Sequence, residues 1–147
     1  MRLMDWGLLL ARLLMCTVFV WSGIGKALDW PGGLAEISAA GLPLAPVLLL
    51  TTILVQITGG LSLALGFWAR LGALALAGFT LVASVLFHNF WAASDPQVYL
   101  HQLTTFLEHI AIIGGFVALA AVGSGGFSLD RYLGLDFAAL NPERRVS

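Results

Sequence analysis

The sequence predicts an all-α membrane protein, a bundle of four transmembrane helices with both termini in the cytoplasm. The composition is the first reason: 59% of the 147 residues are hydrophobic and 10% are charged, against roughly 45–50% and about 25% in ordinary globular chains. The second is a set of apolar runs long enough to cross a bilayer, which takes roughly 20 residues. The third is the one-sided distribution of arginine.

The predicted spans are residues 8–27, 45–67, 71–90 and 104–122. Each must be helical because lipid offers no partner to an open backbone group. The first is expected to be an uncleaved helix, since its apolar stretch exceeds a usual signal core and the following SGIGKALDW lacks an A-x-A site. Pro43 and Pro46 favour a helix start for the second span.

The segments between the spans are short. Residues 28–44 contain a turn at Pro31-Gly32-Gly33 and then an amphipathic stretch suited to the membrane interface. Residues 91–103 are polar and can extend the fourth helix outward. The chain is thus expected to form one transmembrane domain followed by a short cytoplasmic C-terminal tail, residues 1–130 and 131–147.

Positive charges set the expected orientation, because loops rich in lysine and arginine stay in the cytoplasm. With four spans, all arginines fall on one side: Arg2, Arg12, Arg70, Arg131, Arg144 and Arg145. The other side has only Lys26. We therefore expect segments 28–44 and 91–103 in the periplasm.

Ionisable side chains gather at the predicted periplasmic end. All three histidines of the chain lie there: His88, His101 and His109. Lys26 ends the first span, Trp91 follows the third, and Glu108 lies in the fourth. Imidazoles exchange protons near neutral pH, so the group is a candidate ligand site. Interfacial anchoring is the competing interpretation, because helix ends carry polar residues and tryptophan marks the membrane interface.

A polar residue and small residues lie deep in the apolar runs. Gln56 is near the middle of the second span, where an amide would face another helix rather than lipid. Gly59 and Gly60 follow it, and Gly114 and Gly115 lie at matching depth in the fourth span. We expect these two helices to approach closely, with Gln56 either bonding across the gap or contacting a ligand head group.

Two other residues in the first span have simple interpretations. Arg12 can extend to the cytoplasmic interface and pair with Asp5 or Asp130. Cys16 is the single cysteine, so the chain alone has no dithiol relay, and a packing role is expected. The net charge of −1 gives no basic field for nucleic acid.

A quinone head group suits the periplasmic cluster better than a metal or a haem. It needs hydrogen-bond donors, apolar walls and a proton path, and Lys26, His88 and His109 can donate. A metal site from His88, Glu108 and His109 lacks HxxxH or HExxH spacing. Haem needs a wide pocket, for which four short helices leave little room.

Several segments follow one another along this chain: RLLMCTVFVWSGIGKALDW, GLP, QITGGLSLALGFWARLGALAL, FHNFW, FLEHIAIIGGFVAL and GGFSLD. Their order, over about residues 8–130, resembles the DoxX family of small bacterial membrane proteins. The family takes its name from a small subunit of an archaeal enzyme that passes electrons from sulfur compounds to quinone. The resemblance implies four membrane helices and links to oxidoreductase complexes and to oxidative or metal stress.

The matching positions are Arg12, Ser22, Gly23, Lys26, Gly59, Gly60, Arg70, His88, Phe90, Gly114, Gly115 and Asp130. The family often has a glutamate where this chain has Gln56, and Lys-Asn where it has Glu108-His109. Both departures change the charge available to a ligand.

The sequence thus predicts an inner-membrane accessory subunit of a redox complex, with a small-molecule site near the periplasmic face and quinone as candidate ligand. The predicted ligand-binding residues are Lys26, Gln56, His88, Trp91, Glu108 and His109. No catalytic or metal-binding residue is assigned. The expected partners are lipid and either another protein or a second copy, with no nucleic acid. The alternatives are a scaffold that packs through Ala73 and Ala77, and metal-ion handling.

Overall fold

The computed structural model describes residues 2–135. Its helices are α1 Arg2–Leu28, α2 Trp30–Ala39, α3 Ala45–Leu65, α4 Ala69–Phe87, α5 Pro96–Val122 and α6 Leu129–Tyr132, with a 3-10 turn at Phe90–Ala92. No strand occurs in this part of the chain. Four helices (α1, α3, α4 with the 3-10 turn, and α5) are long and apolar enough to cross a membrane. The predicted four-helix transmembrane bundle is confirmed.

The helix ends differ from the predicted spans where local hydrogen bonding overrides hydropathy. α5 begins at Pro96, ahead of the apolar run, because Asp95 accepts hydrogen bonds from the amides of Gln97 and Val98 at 2.8 and 3.0 Å. α4 ends before His88, whose φ of −120° and ψ of 53° are not helical. The predicted tail lies mostly outside the described residues, which end at 135.

The four long helices form a ring. α1 packs against α3, α3 against α4 and α4 against α5, and a shorter contact between α5 and α1 closes the ring. Buried side chains of all four helices fill the centre, where the rings of Phe19 and Phe116 lie 5.3 Å apart between centroids. The outer faces are apolar and exposed, as lipid contact requires.

The glycines determine which helices approach closely, and the predicted approach of α3 to α5 is wrong. An added Cβ on Gly60 would lie 2.6 Å from Val20 of α1, and one on Gly59 would lie 2.9 Å from Leu76 of α4. A Cβ on Gly115 would meet Met15 of α1, and one on Gly114 would meet nothing within 4 Å. α3 and α5 lie diagonally across the ring, so the glycines of α3 lie against α1 and α4, and Gly115 of α5 lies against α1.

Residues 125–130, GGFSLD, form a clasp at the end of the bundle opposite His88. The carboxylate of Asp130 accepts hydrogen bonds from the amides of Trp68 and Ala69 at 2.7 and 3.1 Å, and so caps α4. Asp5 accepts one from the Gly126 amide at 2.7 Å. The clasp therefore joins the start of α1, the α3–α4 turn and the end of the described chain.

Arg12 is part of this clasp rather than an interfacial anchor. Its side chain is 1% exposed and donates to the backbone carbonyl of Phe127. The carboxylates of Asp5 and Asp130 accept hydrogen bonds from backbone amides, and neither forms a salt bridge with Arg12 among residues 2–135, so the predicted pairing does not occur. Because Arg12 lies beneath the clasp, it cannot extend to the interface.

The two small residues assigned to a partner surface lie in the core. Ala73 is fully buried and Ala77 is 8% exposed, and both pack against the buried residues that fill the ring. The alternative of a scaffold that packs against a partner through these alanines is therefore wrong, because this face of α4 packs against the other helices of the same chain.

Candidate functional site

A cavity of about 450 Å³ lies at the end of the bundle that carries His88, which we call the histidine end. α3 and α4 are held together at the opposite end by a short turn, in which Ser62 Oγ donates to the Phe67 carbonyl at 2.5 Å. At the histidine end the cavity separates them. Its volume is in the range of small-molecule sites in proteins, about 300–1,000 Å³.

The cavity has apolar walls with a few polar groups. The polar residues that line it are Ser22, Lys26, Glu36, Thr51, Thr52, Gln56, Thr80, His88 and His109. Phe19, Phe79 and Phe87 are among the apolar ones. This combination of an apolar enclosure and a few polar contacts is typical of sites that orient an amphipathic ligand.

Gln56 lies in the wall with an unmet hydrogen-bonding group. It is 5% exposed, and its Oε1 atom has no hydrogen-bond partner among residues 2–135. An unmet buried amide oxygen costs about 1–3 kcal/mol. The predicted bond across to α5 does not form, so helix bracing does not account for this amide.

His88 and His109 lie side by side in the same wall. Their ring centroids are 4.9 Å apart, and the planes meet at 77°. His109 Nδ1 lies 2.7 Å from Ser84 Oγ, and Ser84 is fully buried. The His88 ring has no hydrogen bond within the described part of the chain. The imidazoles therefore offer polar atoms to whatever occupies the cavity.

An ion pair lies where α2 crosses the cavity. Lys26 Nζ is 2.5 Å from Glu36 Oε2, and these side chains are 23% and 49% exposed. Asp29 starts α2 by accepting a hydrogen bond from the Gly32 amide at 3.0 Å. Ile37 of α2 packs against Leu49 of α3. α2 is thus fixed beside the cavity by one charged and one apolar contact.

Comparison with known proteins identifies the family. Residues 7–89 match the DoxX family model. The chain belongs to the DoxX family. It is 37% identical over 132 residues to "Inner membrane protein YqjF" of Escherichia coli K12, which covers 90% of this chain and 95% of that protein. It is 27% identical over 124 residues to "Inner membrane protein YphA" of the same organism, covering 84% of this chain and 88% of that protein.

No solved structure matches this DoxX-family chain. The family-model match covers the residues of α1, α2, α3 and α4 that line the cavity, and the YqjF match spans most of the chain. Together with four membrane-spanning helices, the relatives place this DoxX-family protein in the inner membrane as a multi-pass protein.

The structure brings together four of the predicted ligand-binding residues of this DoxX-family protein: Lys26, Gln56, His88 and His109. Glu108 and Trp91 lie outside the cavity. Glu108 adjoins His109 on α5, so it points about 100° away, and its side chain is exposed. Trp91 is 57% exposed, and its ring packs on Phe90 and Phe106 instead.

Sequence reasoning about the DoxX-family chain missed Glu36 and Ser84. Glu36 was missed because residues 28–44 were expected to lie along the interface, although Asp29 before Trp30-Pro31 is a helix-start signal. Ser84 lies four residues before His88, hence on the same face of α4, and that spacing could have indicated it.

The predicted metal alternative rested on His88, His109 and Glu108. Glu108 faces away from the histidine pair for the reason given above. Among residues 2–135, no group of three or more His, Cys, Asp or Glu side chains is placed to hold a metal ion.

Proposed function

We propose that this DoxX-family protein binds the head group of a lipid-soluble quinone in the cavity at the histidine end, as an accessory subunit of a membrane redox complex. The observation that carries the proposal is a cavity whose wall brings together the buried Gln56 side chain and the rings of His88 and His109. When bound, a quinone would supply two-electron, two-proton redox chemistry.

The residues present fit such a ligand. The Gln56 amide and the ring of His88 can donate hydrogen bonds to carbonyl oxygens. Phe79 and Phe87 offer aromatic walls for a flat ring. Lys26 and Glu36, at the exposed edge of the cavity, connect it to water. Polar contacts thus lie inside the cavity, and its edge carries the charged pair.

We expect the cavity to open towards lipid between α3 and α4, because exposed residues of both helices line it. These residues are Leu48 and Thr51 of α3 and Val82 and Leu86 of α4. A ligand with an isoprenoid tail can keep that tail in the bilayer while its head group occupies the cavity. This opening favours a ligand that arrives from the membrane over one that arrives from water.

We place the histidine end at the periplasmic side. Arg12, Arg70 and the clasp that precedes Arg131 lie at the opposite end, whereas Lys26 lies at the histidine end. This distribution agrees with the tendency of positive residues to stay in the cytoplasm. The head group would then exchange protons with the periplasm through the histidine pair.

Binding of a short-chain ubiquinone to the purified protein in nanodiscs tests the proposal. We expect saturable binding, and we expect His88→Ala to weaken it by about tenfold, the equivalent of one good hydrogen bond. His101→Ala is the matched control, because His101 is exposed on α5 and does not line the cavity. No binding to the wild-type protein, or equal loss in both variants, contradicts the ligand assignment.

The redox-complex role predicts that mass spectrometry of gently solubilised membranes finds an oxidoreductase bound to the protein.

A further inference from the structure

Ser84 lies between two hydrogen-bonding atoms and has one proton to give. Its Oγ atom is 2.6 Å from the backbone carbonyl oxygen of Thr80 and 2.7 Å from Nδ1 of His109. The side chain is fully buried, so water does not compete for these contacts. The position of the Ser84 proton therefore determines what His109 does.

Counting protons leaves one satisfactory arrangement. A carbonyl oxygen can only accept, so the Thr80 contact requires the proton of Ser84. If that proton pointed at His109 instead, two oxygens would face each other at 2.6 Å with no hydrogen between them. Ser84 therefore donates to Thr80, and neutral His109 must donate its Nδ1 proton to Ser84.

The second ring nitrogen of His109 then carries a lone pair. In a neutral imidazole with its proton on Nδ1, Nε2 is an acceptor. His109 lines the cavity, and Nε2 has no hydrogen bond among residues 2–135. A carbonyl oxygen placed there would meet another acceptor, whereas a hydroxyl group would donate to it.

We infer that Ser84 is a positioning residue that fixes the tautomer of His109, and that the cavity thereby selects the hydroxylated ring, a hydroquinone, over the corresponding quinone. This inference rests on the proposed function and names the form of the ligand that the site prefers. The other polar groups impose no such choice. Gln56 can donate or accept, His88 has no fixed partner, and Lys26 is paired with Glu36.

Nitrogen NMR of the protein labelled with ¹⁵N-histidine reads the tautomer without any ligand. We expect His109, assigned by its loss in His109→Ala, to carry its proton on Nδ1 in the wild-type protein. Ser84→Ala should release it to the commoner Nε2–H form or to a mixture. Ser84→Thr keeps a hydroxyl and should restore the Nδ1–H form. A wild-type His109 with its proton on Nε2 overturns the inference.

The predicted selectivity is tested by measuring the affinity of the protein for short-chain ubiquinone and for its hydroquinone. The hydroquinone is measured under anaerobic conditions. We expect the hydroquinone to bind about tenfold more tightly, and Ser84→Ala to remove most of that preference. Thr105→Val is the matched control, because it removes a hydroxyl bonded one turn back on a helix at a position that does not line the cavity. Equal affinities in the wild-type protein overturn the selectivity and leave the proposed function standing. Binding of neither form overturns the proposed function, and the selectivity with it.

Discussion

At the scale of single residues, the type of a side chain was predictable from the sequence, but its partner was not. The sequence showed that Gln56 and Arg12 are polar groups in apolar runs. It did not show that Arg12 would bond to a carbonyl 115 positions away, or that Gln56 Oε1 would have no partner among residues 2–135. Such contacts depend on how distant segments meet, and composition and spacing do not determine that.

Replacing Gln56 by leucine separates stability from binding. Gln56→Leu removes an unmet buried amide and keeps a similar volume, so we expect the free energy of unfolding to rise by about 1 kcal/mol. Quinone binding should weaken by about tenfold. Thermal unfolding in detergent and binding in nanodiscs measure the two effects. Thr58→Val, on the exposed side of α3, should change neither. A loss of stability in Gln56→Leu would show that the amide is already satisfied.

Asp130 is expected to matter for stability through its cap on α4. Asp130→Ala removes the acceptor for the amides of Trp68 and Ala69, and we expect a loss of about 2 kcal/mol. Asp130→Asn keeps one acceptor oxygen and should lose less. Denaturant unfolding measures both. Asp95→Ala removes an exposed cap from α5 and should cost about 1 kcal/mol, so equal losses for Asp95→Ala and Asp130→Ala would contradict the role of the clasp.

At the scale of helices, the sequence predicted that the spans exist but not which of them touch. Hydropathy depends on composition alone, which is why the four spans were found. Four helices of similar hydropathy can be arranged in more than one order, so the glycine pairs of α3 and α5 were assigned to each other wrongly. α2 was expected only as an amphipathic stretch, because its contacts with Lys26 and Leu49 require the chain to fold back.

Gly60 tests the close crossing of α1 and α3. Gly60→Ala places a Cβ 2.6 Å from a methyl of Val20, and the β-branched side chain cannot easily turn away. We expect a loss of about 1–3 kcal/mol, the usual cost of overpacking. Gly78→Ala, at an exposed position of α4 with nothing within 4 Å, should instead stabilise by up to about 1 kcal/mol through helix propensity. Thermal unfolding of the two variants measures the effects, and equal losses of stability would contradict a close contact between α1 and α3 at Gly60.

At the scale of the whole molecule, the ring of helices places the predicted ligand-binding residues around one cavity, with two exceptions. Lys26, His88 and His109 were predictable because a four-span topology puts them at one end. Trp91 and Glu108 share that end but face outward, which follows from their angular position on the chain. The number of spans thus predicted at which end of the bundle these residues lie. Which of them face the cavity depends on the rotation of each helix about its axis, and only the structure gives that rotation.

Labelling with a membrane-impermeant maleimide tests the proposed orientation. In a Cys16→Ala background, Ser94→Cys at the histidine end should react in intact cells, because this exposed residue would face the periplasm. Tyr132→Cys, which replaces a side chain that is 86% exposed at the other end, should react only after the membrane is opened. The reverse pattern would place the histidine end in the cytoplasm.

The clasp also constrains biogenesis. The carboxylate that caps α4 follows Ala69 by 61 positions, so it is synthesised after both α4 and α5. Until then, the first amides of α4 lack their native acceptor. The newly made chain can insert its spans in sequence, but it reaches its final packing only when translation has passed Asp130. A premature stop just before that codon would yield a protein with every span present and the turn between α3 and α4 left open.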